Sequence, residues 1–184
     1  MASIDNNLGI ALAKRGIKTD TPADLKRAIT FYLQGRSILA DIPDTELEPL
    51  LVSNLADAYY DLSGYEDSGL ILDRARNLLI EALSLRGAHD YPAVRGEIIF
   101  KLGQVDVAAG GLANNAETRR GIQEWACAFD IFDKAGRDDQ VGTVLRSLKR
   151  VSSAIVQRSI GDTTPPLPDC HWDTAKLLQR LAAT

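Results

Sequence analysis

The chain has 184 residues, 45% of them hydrophobic and 25% charged, with a formal net charge of −4. Such values describe a globular chain able to bury roughly 70% of its unfolded surface in one domain, and they exclude disorder over most of the length. Cut every 47 residues, the local charge runs 0, −5, −2 and +3, which lacks the clustered basic surface that phosphate neutralisation needs, so no nucleic-acid partner is expected.

The start, Met1-Ala2-Ser3-Ile4-Asp5-Asn6, is neither basic nor apolar, so no secretory leader is expected. No uncharged apolar run reaches the roughly 18 residues of a membrane span, so no membrane insertion is expected either. Two cysteines, Cys127 and Cys170, supply no readable disulfide framework. Together these features predict a cytoplasmic protein.

Three copies of a small pattern recur at a step of 47 residues: Asn7-Leu8-Gly9, Asn54-Leu55-Ala56 and Lys101-Leu102-Gly103. Each is followed by a small, a large and a small residue, at Ala28-Tyr32-Gly35, Ala75-Leu79-Ala82 and Gly121-Trp125-Ala128. Repetition at a fixed period marks an array of like units rather than one irregular core. The small residues let two helices approach closely, and Tyr32, Leu79 and Trp125 are expected to enter the next repeat.

In chain order, helices are expected at about 2–15, 22–40, 44–63, 67–86, 91–109, 114–135, 138–160 and 171–183, eight in all, pairing as four hairpins. Thr21-Pro22-Ala23-Asp24 sets a capping hydroxyl before a proline at the first helical position. Leu47, Leu50, Leu51, Leu55, Ala58, Tyr59 and Leu62 recur at helical steps, and Ile71 to Leu83 does the same, so these two segments form a hairpin. Gly16, Gly64, Gly87, Gly110-Gly111 and Gly136 fall where helices should stop. Asn114-Asn115 caps the helix running through Phe132. Pro165, Pro166 and Pro168 stiffen the connection before a last helix that starts near Trp172. Pro165-Pro166-Leu167-Pro168 serves as that connector or as an extended occupant of a groove.

The pattern resembles a tetratricopeptide repeat, through Leu8-Gly9-Leu12 with Ala28-Tyr32-Gly35, Leu55-Ala56-Tyr59 with Ala75-Leu79-Ala82, and Leu102-Gly103 with Gly121-Trp125-Ala128. The resemblance covers residues 5 to about 160. It implies an all-α, right-handed α-solenoid of antiparallel helix hairpins: a single domain with repeats at about 2–43, 44–90 and 91–136, then a degenerate fourth hairpin and cap at 137–184. At 47 residues against the family's usual 34, this is a long-repeat variant, similar to extended repeats of bacterial signalling proteins. Asp106 stands where the third repeat should have an aromatic or apolar residue.

Catalytic chemistry has little material. His89 sits in an expected turn, and Cys170-His171 lacks a third orienting group and the further ligands of a metal site, so both histidines read as structural and no enzyme, cofactor or metal is expected. Cys127, among Ile122, Trp125, Phe129 and Phe132, reads as a buried, inert thiol.

The resemblance implies instead a non-enzymatic interaction module holding a protein or peptide partner on its concave face. Carried over position by position, that face comprises Asn6, Ile10 and Ala13, then Ser53, Asp57 and Tyr60, then Phe100, Gln104 and Val107, with Arg146, Arg150 and Ser153 from the fourth hairpin. Arg146, Lys149 and Arg150, opposite the apolar line Val144, Leu148, Val151 and Ile155, form either a solvated helix face or a grip for a carboxylate or acidic peptide. Ile10 occupies a position where the chaperone-binding clamp of the family needs a polar residue, so chaperone C-termini are not the expected ligand. The alternative is a structural subunit that docks into a larger complex, or self-associates, through its outer faces or ends.

Overall fold

The computed structural model describes residues 1–41, 46–161, 167 and 170–183, of residues 86 and 87 the backbone only. All regular structure among these residues is helical: α1 Ala2–Thr19, α2 Pro22–Leu39, α3 Leu47–Leu62, α4 Ser68–Ser84, α5 Arg86–Asp90, α6 Pro92–Ala109, α7 Ala116–Lys134, α8 Asp138–Lys149, α9 Ser153–Gly161 and α10 Thr174–Ala183. The chain forms two compact units, residues 1–94 and 95–184, so the division falls just inside α6.

In residues 1–94 each of the first four helices packs on the next. The link between α1 and α2 is two residues long, which folds one helix back along the other. Its turn departs from the expected chemistry. α1 does not stop at Gly16 but runs on to Thr19, and Asp20 takes the left-handed conformation (φ 53°, ψ 45°) that closes it. Asp tolerates that region better than most residues. Gly16 serves close packing instead, since a β-carbon there would lie 3.1 Å from the Thr21 carbonyl oxygen and 3.2 Å from the Asp24 β-carbon. Thr21 precedes Pro22 as expected but its hydroxyl does not cap α2; it donates to the Thr19 carbonyl at 3.1 Å. The turn is fastened by Arg15, whose Nε and Nη2 grip the two Asp24 oxygens at 2.6 and 2.7 Å. That hydrogen bonding holds the Asp24 carboxyl below its ordinary range, against a smaller opposing effect of burial.

The repeated small and large positions meet within a hairpin. A β-carbon on Gly9 would fall 2.4 Å from the Tyr32 ring, so the phenol of α2 lies directly on the bare backbone of α1. Gly35 similarly admits the Leu51 side chain of α3. Leu25, Ala28, Leu51, Leu55, Ala56, Ala75, Leu79 and Ala82 are buried completely or nearly so. Leu8 is not: it stands 43% exposed, because its face of α1 remains open whereas Leu55 and Leu102 are covered. The five-residue α5, absent from the expected eight helices, includes Gly87 rather than ending there, and packs on α3 and α4.

In residues 95–184, the second half of the pattern repeats the first. A Gly103 β-carbon would lie 2.5 Å from Trp125 Cδ1 and 2.7 Å from the Gly121 carbonyl oxygen. Trp125 Nε1 completes the fit by donating to the Phe100 carbonyl at 3.1 Å. The large residues at Tyr32 and Trp125 thus pack on the glycine of their own hairpin, rather than only reaching into the next. Gly103→Leu is expected to lower the unfolding free energy by about 1–3 kcal/mol, toward the upper end because one of the opposing atoms is backbone and cannot rotate away. Urea titration followed by circular dichroism measures it.

α7 starts as expected on Asn115, whose side chain accepts from the Thr118 N–H at 2.9 Å. Gly111 and Gly136, both at positive φ, follow the ends of α6 and α7. The helix expected over 138–160 is broken instead into α8 and α9. The Arg150 and Val151 N–H groups close tight turns onto Ser147 and Leu148, and α9 then buries Val156, Ser159 and Ile160. The break re-phases the apolar face, so Ile155 leaves the line that Val144, Leu148 and Val151 begin. α10 packs on α8 and α9 and is tied to α9 by Trp172 Nε1 donating to the Ile160 carbonyl at 3.2 Å. Pro165, Pro166 and Pro168 lie outside the described residues.

Candidate functional site

The expected partner-binding positions separate into those that line cavities and those committed to packing. In residues 1–94, Ile10, Ala13 and Asp57 converge on a cavity of about 310 Å³ between α1, α2 and α3. Lys14 and Ile17 extend its α1 wall, Asn54 and Asp61 its α3 wall, and Tyr32 contributes from α2. Asn54, Asp57 and Asp61 fall on one side of α3 because they are spaced three and four apart.

Tyr32 carries the electrostatics of this site. The residue is 2% exposed, and burial pushes its phenol above the ordinary range, with the Asp57 and Asp61 charges acting in the same direction. It therefore stays protonated at any physiological pH. Asn6 and Ser53 stand apart from the cavity. Asn6 is buried and its side-chain oxygen accepts from Asn54 Nδ2 at 3.0 Å, joining α1 to α3. Ser53 is 1% exposed. Tyr60 is half-buried at the end of α3.

In residues 95–184, Phe100 lines a smaller cavity of about 200 Å³ with Glu97, Lys101, Phe132, Gln140 and Thr143. Its ring also stacks on Trp125, with 6.1 Å between centroids. Gln104 is half-buried and Val107 is buried. Arg146 and Arg150 are exposed on α8 and at its end, and Arg146 Nη2 donates to Thr143 Oγ1 at 2.9 Å, which sets it beside the Phe100 cavity. Ser153 and Lys149 belong elsewhere, to a largely apolar cavity of about 340 Å³ walled by α8, α9 and α10.

One residue pair overturns a sequence expectation, and a second accounts for a departure from the repeat pattern. Cys127 is buried but is no free thiol: it forms a disulfide with Cys170, with the α-carbons 5.6 Å apart. Cys170 is therefore unavailable as a nucleophile beside the exposed His171. Asp106, out of place in the repeat pattern, is fully buried and ion-paired with Arg120 of α7. Hydrogen bonding to Asp106 raises the Arg120 pKa, and the nearby Glu124 charge contributes further.

Among the described residues no group of three or more His, Cys, Asp or Glu side chains is arranged to hold a metal ion. No helix among them is long and apolar enough to cross a membrane. Tyr32 and Asp61 were missing from the expected site. Asp61 was detectable as the continuation of the polar stripe of Asn54 and Asp57 on an otherwise apolar helix, whereas Tyr32 reads as a core knob until its hydroxyl is placed. Compared with known protein families, curated proteins and solved structures, the chain matches none.

Proposed function

We propose that the chain is a non-enzymatic interaction module of the tetratricopeptide-like kind, a long-repeat α-solenoid that holds a segment of a partner protein on the face made by the first helix of each hairpin. One observation carries this reading: three positions that the tetratricopeptide resemblance assigns to that face, Ile10, Ala13 and Asp57, line a single open cavity. Recurrence of the glycine-on-aromatic packing at Gly9 with Tyr32 and at Gly103 with Trp125 supports a repeated unit. The matching face in residues 95–184 offers Phe100 and Gln104, with Arg146 and Arg150 near its end.

Affinity capture from the native host tests the reading. Wild-type protein is compared with two variants of unchanged helicity, Ile10→Glu/Asp57→Lys and Tyr60→Ala/Arg146→Glu/Arg150→Glu. A partner set depleted by at least one variant is expected. The same set retained by both would end the concave-face model.

A second reading, self-association through an outer face, is favoured by the exposure of Ile4 (61%) and Leu8 (43%) one turn apart on α1. Light scattering would then show an oligomer that Ile4→Ser/Leu8→Ser converts to monomer.

A further inference from the structure

We infer that the Cys127–Cys170 disulfide is a redox latch on α10: closed, it holds α10 over the apolar face of α8 and α9, and its reduction by a dithiol frees the helix and uncovers that face. The latch stands without the interaction-module reading, since it rests on contacts within residues 95–184 alone.

The bond is placed to act on α10. Cys127 belongs to α7, whose middle from Gly121 to Phe129 is buried, and Cys170 precedes Thr174, the first residue of α10, by four positions. The two α-carbons are 5.6 Å apart, a separation that the bond accommodates. A firmly packed helix is thereby tied to the start of a lightly packed one.

The non-covalent hold on α10 is modest. Ten residues make a helix that is marginal alone, and Leu177 is the single buried side chain it contributes. Lys176 pairs with Asp133, and Arg180 with Asp138 at 3.9 Å, yet the two cations stay 49% and 44% exposed, and pairs so open to water hold weakly. Trp172 Nε1 and Thr174 Oγ1 share one acceptor, the Ile160 carbonyl, at 3.2 and 3.3 Å. With the bond open, the covalent anchor of α10 is Gly161, thirteen residues before Thr174, instead of Cys170, four before it. Effective concentration falls as about the −3/2 power of tether length, so this change alone lowers the seating of α10 about sixfold.

Seated, α10 supplies Leu178 and Leu181 to the cavity of about 340 Å³ whose other walls carry Leu148, Val151 and Val156. Those three are at most 5% exposed. Lifting α10 therefore brings apolar surface of α8 and α9 into water.

The reaction is a thiol–disulfide exchange. One thiolate of the dithiol attacks the Cys170 sulfur, and Cys127 leaves as a thiolate that takes up a proton. The second thiol, as its thiolate, attacks the mixed disulfide and releases Cys170 in the same way. The dithiol closes to its own disulfide, giving up the two electrons and two protons that the cysteines gain. Both cysteines are only 2% exposed, so attack requires residues 170–183 to open locally, and reduction in turn favours the open form.

The test treats the native full chain with dithiothreitol and follows tryptic cleavage at Lys176 and Arg180 by mass spectrometry, with Lys134 of α7 as the reference. Cleavage within α10 is expected to rise about sixfold on reduction, with the rate at Lys134 unchanged, and to fall back on reoxidation. Cys170→Ser should match the reduced protein without any reductant. Fluorescence of the apolar dye ANS should rise in the same states, as Leu148, Val151 and Val156 are uncovered. The wild-type comparison needs no substitution, so it decides even where Cys170→Ser does not fold. Equal cleavage in both redox states would overturn the inference, as would an equal acceleration at Lys134, which would make the bond a staple of the whole unit. A bond that dithiothreitol opens only in denaturant, or faster cleavage of α10 without a rise in ANS fluorescence, would overturn it too.

Discussion

Arg120→Ala is expected to destabilise residues 95–184 by about 3 kcal/mol, the low end of the range for removing one partner of a buried ion pair. Asp106 is fully buried in α6, and Arg120 of α7 supplies its ion pair while keeping a third of its own side chain exposed. Water can reach the vacated space from that open side, which keeps the loss from being larger. Arg120→Lys should lose less, since the charge stays and only the guanidinium geometry goes. The informative variant is Asp106→Leu/Arg120→Met. It removes both charges and restores at position 106 the apolar character of Leu12 and Tyr59. Replacing a buried ion pair with hydrophobic groups is often neutral or stabilising, so the double variant should unfold at the parent's denaturant concentration or above it. A single-variant loss below about 1 kcal/mol, in the range of surface pairs, would remove any structural role for the pair.

Opening the Cys127–Cys170 bond should cost about 4 kcal/mol, the chain-entropy value for a closed loop of this length. The sequence separation is 43 residues, enough to enclose α8, α9 and the connection that precedes α10. Urea unfolding with and without a phosphine reductant measures the difference, and maleimide labelling of the denatured protein before reduction checks the bond itself. Labelling of both cysteines in that state would show that the bond does not form. Because α10 packs mainly on α8 and α9, with the Lys176–Asp133 ion pair as a tie to α7, amide exchange in Thr174–Ala183 should accelerate on reduction before exchange in α7 does. Disulfides persist where surroundings are oxidising, so this bond pulls against the cytoplasmic location expected from the first residues of the chain.

Much of the local fold was legible because helices are local objects. Apolar positions spaced three and four apart fixed α2, α3, α4 and α7 within a few residues, and Asn115 announced the start of α7 through its own side chain. Where the readings failed, the deciding contact came from elsewhere in the chain. Gly16 looks like a helix stop by itself; the closeness of Thr21 and Asp24 makes it a packing position inside α1. A continuous helix over 138–160 satisfies propensity, but the turn at Val151 lets Val156 and Ile160 reach the core that straight continuation would give to Ile155.

The candidate site divides along the same line. Ile10, Ala13 and Asp57, positions that the tetratricopeptide resemblance carries over to one face, do line one cavity, since a repeat returns equivalent side chains to equivalent faces. Asn6 and Ser53 share that phase yet are buried, because how closely α1 and α3 pack depends on both helices at once.

By itself, then, the sequence determined the helical class and carried the 47-residue recurrence of small and large positions, both of which follow from local periodicity. Tertiary structure alone decided that Cys127 pairs with Cys170, that Asp106 is answered by Arg120, and that Tyr32 lines one cavity with Asp57 and Asp61. Each of these depends on groups brought together across at least 14 residues of chain, and side-chain chemistry at that range is set by packing, which no local pattern encodes.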